Sequence, residues 1–330
     1  MHQFLVQILV GLIFLATAAA QSPRFVIDDD NYVDKIIAAS AKLLEKGKLK
    51  STEVLREEVS LKGFSLKSAK VSHEKLAPAD LCERLRESTL AVGSYYKCPD
   101  CGDWHFNSSA GFVVGEGGII STCCHVVVTE DEGVKESYLI VADAEGRVFP
   151  VQSVVAADLE SDTCFLKVNA AGLKALPLRT GVRPGERVYC LSHPGGYYFM
   201  FTQGMVARVN RKRDEMLDNH GQTNGLMTRP LIFLNVTSEF APGSSGGPIV
   251  DEAGNVVAQV SSIAEAGESS SGDENGPASP SVPVRFCLAS EEILRLTDTH
   301  LEKNTGITDA RPKMKPPHSA AVPKPAESKK

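Results

Sequence analysis

The chain lacks a surplus of positive charge. Its 330 residues carry 35 Lys and Arg against 41 Asp and Glu, a formal net charge of −6. That balance excludes a chain built as a whole to bind nucleic acid, which demands a basic surface. After residue 20 the chain also lacks any apolar run long enough to span a bilayer. Residues 1–20, MHQFLVQILVGLIFLATAAA, are apolar but short for a comfortable span, and they contain His2 but no Lys or Arg. The run fits a secretory h-region, and Ala18-Ala19-Ala20 offers a small-x-small cleavage pattern that would leave Gln21 first. The expectation is a cleaved signal peptide, a secreted or periplasmic protein, and no stable membrane span after cleavage. An uncleaved anchor is the alternative, and either way the body lies outside the cytoplasm.

Cysteine is not scarce. There are eight, an even number that permits disulfides in an exported chain. Cys164 and Cys190 sit in apolar runs and read as small buried hydrophobes. In YYKCPDCGDWHF, Cys98-x-x-Cys101 with His105 is half of a zinc site, and no fourth ligand is obvious nearby in sequence. A local Cys98–Cys101 disulfide is expected, with zinc and free thiols as alternatives.

Residues 21–88 read as a small helical N-terminal region. Val33, Ile36, Ile37, Ser40, Leu43 and Leu44 share one helical face, with Asp29 or Asp30 to cap it and Gly47 to end it. Ser51 can cap a second helix, and Pro78 suits the first turn of a third. From residue 89 the texture changes to short β-rich runs broken by Gly, Pro, Asn and Asp. Such spacing predicts an all-β sandwich or barrel, and about 200 residues suffice for two packed barrels. EAGESSSGDENGPASPS, from Glu265, reads as an acidic low-complexity loop, and ASEEILRLTDTH as a closing helix. Residues 299–330 are rich in Pro and Lys and are expected to form a disordered tail.

FAPGSSGGPIV, residues 240–250, sets two serines among glycines and prolines. Turn formation explains such residues. So does an activated serine, whose glycine neighbours let backbone N–H groups face a developing oxyanion. Ser245 would need a base. His2 lies in the leader, His300 and His318 at or in the tail, and His73 and His220 in polar stretches. Of the remaining His105, His125 and His193, only His125 ends a strand–turn–strand pattern, GFVVGEGGIISTCCHVVV, that would hold an imidazole rigidly at the strand end. Asp162 abuts the apolar run Cys164-Phe165-Leu166 and is the candidate orienting carboxylate, with Asp158 as a lesser one. GSSGG also fits the G-x-S-x-G elbow of α/β-hydrolases. That elbow needs a following helix and a later core histidine, and the stretch after it, PIVDEAGNVVAQV, reads strand–turn–strand.

The order His125, Asp162, Ser245 follows the chymotrypsin order of His, Asp, Ser. GFVVGEGGIISTCCHVV, SDTCFLKV and APGSSGGPIVDEAGNVV resemble the three catalytic stretches of the trypsin-like domain of HtrA-type bacterial serine proteases. CLSHPGG, FTQGMVARV and VRFCLASEEILRL resemble its intervening and closing segments, so the resemblance covers about residues 89–298. It implies a chymotrypsin-like double β-barrel domain over 89–298, with the small N-terminal helical segment before it and a C-terminal helix closing it. It implies a serine endopeptidase acting on protein or peptide substrates through an acyl-enzyme, with no metal and no cofactor. The N–H groups of Gly243 and Ser245 would form the oxyanion hole. Glu239, six residues before Ser245, would sit at the base of the pocket for the residue preceding the cleaved bond; a structural acid bonded to the loop backbone is the other reading. No PDZ domain is expected after residue 298, so peptide sensing and cage assembly through one are not implied. Trp104 and His105 are expected to pack against a barrel end. The competing function is a weakly active or inactive protease-fold module acting through protein–protein contacts. Oligomeric state is not legible.

Overall fold

The computed structural model describes residues 26–60, 64–129, 133–170, 172–213, 215–217, 223–266 and 282–297. The leader, most of the acidic stretch after Glu265 and the Pro/Lys tail lie outside them. Among the described residues no helix is long and apolar enough to cross a membrane.

The β-rich half folds as two closed antiparallel barrels. In the first, β1 (Thr89–Lys97), β2 (Trp104–Gly115), β3 (Ile119–Thr122), β4 (Ser137–Ala142), β5 (Val148–Asp158) and β6 (Thr163–Val168) close in the order β1-β2-β3-β6-β5-β4. In the second, β7 (Arg187–Ser192), β8 (Met200–Lys212), β11 (Leu231–Val236), β12 (Pro248–Val250), β13 (Val256–Ala266) and β14 (Val282–Ala289) close as β11-β14-β13-β12-β7-β8. Short strands β9 (Glu215–Leu217) and β10 (Thr223–Leu226) pair apart from both. Closure removes the sheet edges that unpaired strands would expose. This is the chymotrypsin-like double β-barrel expected from the sequence.

Each barrel has its own apolar interior. Leu90, Val92, Val113, Ile120, Leu139 and Leu166 fill the first, and Val188, Leu234, Ile249, Val257 and Val260 the second. β1 shows the underlying pattern. Leu90 and Val92 lie in the first barrel's own cluster, while Ala91 between them lies in the cluster shared with the N-terminal segment, as a two-residue period requires. A third cluster joins the barrels to the N-terminal segment through Tyr32, Ile36, Leu81, Leu85, Tyr189 and Phe199.

The N-terminal region is docked on the barrels. Helix α1 (Asp29–Glu45) is capped by Asp28, one residue before the expected cap, because its carboxylate accepts the Asn31 N–H at 3.0 Å. α1 presents Tyr32 to both barrels. The Tyr32 hydroxyl donates to the Asp143 carbonyl at 2.8 Å, and its ring meets Tyr198 and Phe199 at 4.5 and 5.6 Å. Helix α2 (Thr52–Glu57), capped by Ser51, buries Leu55 in the first barrel's interior. Helix α3 (Pro78–Arg86) buries Leu81 and Leu85. The extended run between α2 and α3 is tied down by Asn255, whose side chain accepts the Ser72 N–H and donates to the Ser72 carbonyl. Helix α5 (Ser290–Arg295) closes the described chain as expected, though it ends sooner than the sequence pattern. All eight cysteines are free thiols. The expected Cys98–Cys101 disulfide is therefore not formed; Cys101 Sγ lies instead 3.1 Å from His105 Nε2.

Candidate active site

Two buried cysteines connect β3 to helix α4 (His125–Val128). His125 thus begins a one-turn helix instead of ending a strand, as the sequence pattern suggested. The Cys124 N–H donates to the Asp162 carbonyl at 3.2 Å, and the Cys124 thiol donates to the Thr163 carbonyl at 3.1 Å. β3 and β6 pair through Thr122 and Cys164, so the start of α4 and the turn before β6 are locked together.

Within that lock Asp162 holds His125 twice. One carboxylate oxygen accepts the His125 backbone N–H at 2.9 Å, and the other lies 2.7 Å from Nδ1. Asp162 has a φ of 52°, the left-handed region that Asp enters more readily than most residues. Its Nδ1 partner assigns the proton of the neutral ring to Nδ1 and leaves Nε2 as an acceptor. The pair is partly covered, with 30% and 21% of the two side chains exposed. The Asp162 charge raises the His125 pKa above its ordinary value, against the opposing effect of burial. Asp158 is engaged elsewhere: it accepts the Glu160 N–H at 3.0 Å and lies 3.6 Å from the Arg229 guanidinium.

Cys123, His125 and Asp162 place potential metal ligands within 4.8 Å of one another. Both Asp162 oxygens are already committed to His125, and the Cys123 thiol donates to the Val260 carbonyl at 3.3 Å. Burial together with the Asp162 charge pushes that thiol's pKa up, opposing the thiolate a metal needs.

The second barrel brings Ser245 on the loop between β11 and β12. Its carbonyl accepts the Ala110 N–H from β2 at 2.9 Å, a bond that crosses between barrels. The next residue, Gly246, donates to the Val260 carbonyl, and its φ of 83° sets it against the Ala110 carbonyl and Thr122, where a Cβ has no room. Gly243 has a φ of 93°, and a Cβ there would meet the His193 carbonyl at 2.6 Å. Between them, Ser244 is buried; its Oγ lies 3.0 Å from Ser192 Oγ and accepts the Ala241 N–H at 3.4 Å.

Among the described residues, the N–H groups of Ser244, Gly246 and Gly247 each have a backbone acceptor, whereas those of Gly243 and Ser245 have none. The carbonyl of Pro242 accepts the Gly195 N–H at 2.7 Å. Because C=O and N–H point oppositely across a trans peptide, that bond fixes the direction of the Gly243 N–H. Among the described residues no hydrogen bond joins Ser245 Oγ to the His125 ring, whose Nδ1 bond is to Asp162.

A cavity of about 160 Å³ opens beside His125, lined by Ser94, Asn107, Ser109 and Thr129 among others. Glu239 has an exposed side chain, and its carbonyl accepts the Thr202 hydroxyl at 2.8 Å. His193 is fully buried. Its Nδ1 accepts the Phe199 N–H at 3.0 Å, and burial pushes its pKa down to about 4. The sequence reading missed the support of the serine loop by Ser192, Ser244 and the His193–Gly196 turn. The signal available was the small-residue stretch CLSHPGG, which it set aside as an intervening segment.

Residues 109–258 match the family profile described as Trypsin-like peptidase domain. Two similar proteins are Serine protease HTRA2, mitochondrial, of Drosophila persimilis, at 28% identity, and of Drosophila grimshawi, at 27%. Each match covers 153 residues, 46% of this chain, so the chain spans about one third of those relatives' length (33%). A solved structure titled HtrA-type protease AlgW with decapeptide aligns at a TM-score of 0.47 and 20% identity, covering 67% of each chain. The stretch holding His125, Asp162 and Ser245 thus matches the trypsin-like peptidase domain profile and is similar in sequence to HtrA-type serine proteases.

Proposed function

We propose that this chain is an exported serine endopeptidase that hydrolyses peptide bonds through an acyl-enzyme. The observation that carries the reading is the pair of unclaimed N–H groups, Gly243 and Ser245, flanking a serine on the barrel opposite a His125–Asp162 pair. Ser245 Oγ attacks the substrate carbonyl. His125 Nε2 takes its proton and returns it to the leaving amine, while Asp162 holds the ring's tautomer and stabilises the imidazolium. The two N–H groups bind the tetrahedral oxyanion, each donor being worth about 3 kcal/mol of transition-state stabilisation. The Ser245–His125 hydrogen bond forms as substrate seats the hydroxyl, since such bonds are commonly long in unliganded enzymes. The cavity beside His125 receives a part of the peptide flanking the scissile bond.

Labelling with a fluorophosphonate tests the reading. The wild-type protein is expected to be labelled on Ser245, and Ser245→Ala and His125→Ala to lose the label. Unlabelled wild type that still binds peptides would favour the binding module. Selection of Lys or Arg by Glu239 belongs to the same proposal; equal cleavage after basic and apolar residues rejects it. Export is tested by the mature N-terminus, expected at Gln21.

A further inference from the structure

We propose that Cys98, Cys101 and His105 form a zinc-binding site at the end of the β1–β2 hairpin, with the fourth coordination position left to water or an added ligand. Their three ligand atoms lie within 4.8 Å of one another, and His105 turns Nε2, not its back, to Cys101 Sγ at 3.1 Å. Zinc–sulfur bonds of about 2.3 Å and zinc–nitrogen bonds of about 2.0 Å at tetrahedral angles require ligand separations of about 3.5–3.8 Å. Cys98 is half-buried and Cys101 and His105 are exposed, so these side chains have room to turn toward that spacing.

The backbone is already arranged for the ligands. The Cys98 N–H donates to the Asp103 carbonyl at 2.9 Å, and the Gly102 N–H returns to the Cys98 carbonyl at 3.0 Å, closing a tight turn around the two sulfurs. Two soft sulfurs and one imidazole match zinc and reject magnesium or calcium, which select oxygen. Each thiol releases its proton on binding, so affinity falls as pH falls.

The site has a firm base. Trp104 stacks on Tyr95 at 4.4 Å, and the Lys97 N–H donates to the Glu136 carbonyl at 3.0 Å. β2 runs from His105 through Asn107 and Ser109, which line the cavity beside His125. A bound metal would therefore tie Cys98 and Cys101 to β2 and stiffen a wall of that cavity, a structural role separate from peptide cleavage.

The test is cobalt(II) titration of the full chain, reduced and freed of metal, followed by displacement with zinc. One cobalt per chain should bind, with an intense sulfur-to-metal charge-transfer band. Cys98→Ser and Cys101→Ser should each remove that band. His105→Ala should weaken binding by more than the ~10–100-fold that losing an outer-shell partner costs. Cys123→Ser should leave it intact, which separates this site from the Cys123, His125, Asp162 cluster. Circular dichroism of each variant checks folding, which substitutions at this exposed turn should leave unchanged. No uptake by the folded, reduced wild type overturns the proposal. So does a band that survives Cys98→Ser or Cys101→Ser, and so does unchanged affinity in His105→Ala.

Discussion

The two barrels hold their parts of the site by different means. The first fixes His125 with side-chain bonds: both Asp162 oxygens bind it, and the Cys124 thiol anchors the turn beside it. The second fixes Ser245 almost entirely through backbone: Ala110, Val260 and Gly195 each engage its loop, and two glycines at positive φ make the approach sterically possible. A side-chain lock fails when one functional group is removed. A backbone lock fails when a Cβ is added.

That contrast orders the expected effects of mutation. On the side-chain side, Asp162→Asn preserves the shape but offers the ring a donor where it needs an acceptor, favouring the wrong tautomer. A fall in kcat of about 10⁴-fold is expected, with thermal stability nearly kept; steady-state hydrolysis of a peptide substrate checks it. A fall under tenfold would mean that Asp162 does not orient the ring. On the backbone side, Gly243→Ala forces a Cβ against the His193 carbonyl and turns the loop. Losing one oxyanion donor predicts a drop in kcat of about 10²–10³-fold. Labelling of Ser245 should slow in parallel, while KM changes little, because the donor acts on the transition state.

The same contrast explains what could be read from sequence. Short β-rich runs broken by turn residues marked an all-β sandwich or barrel, because strand and turn positions leave a direct mark on residue type, and the resemblance to the HtrA-type domain supplied the pair of barrels. His125 and Asp162 stood out because a lone imidazole after a strand pattern and a carboxylate against an apolar run are visible as letters. The bond from Gly195 N–H to the Pro242 carbonyl is not, since every residue but proline has the same N–H. Ser192 and Ser244 read as ordinary small residues until the fold set their hydroxyls 3.0 Å apart. The docking of α1 was hidden for a related reason. Its apolar face showed that it buries something, but only the fold identifies Tyr198 and Phe199 as what Tyr32 meets.

A smaller effect sharpens the comparison through one histidine from each barrel. His193 is buried neutral, its pKa lowered from about 6.5 to about 4. The unfolded chain therefore binds more protons below pH 6.5, and stability is lost as pH falls from there toward 4. The shift corresponds to about 3 kcal/mol. His193→Asn keeps an acceptor for the Phe199 N–H and cannot titrate, so urea unfolding between pH 4 and 7 should show a shallower acid loss; an unchanged slope would remove His193 as the cause. His125 runs the other way. Its pKa is raised by Asp162, so the pair's contribution to stability is present in full below about pH 6.5 and fades as pH rises through the folded value. The chemistry needs the neutral ring, so kcat/KM should rise across that same window, with a midpoint above about 6.5. Activity is thus gained where the His125–Asp162 attraction is being given up. A midpoint that does not move toward acid in Asp162→Asn, measured on its residual activity, would show that the carboxylate does not set the base.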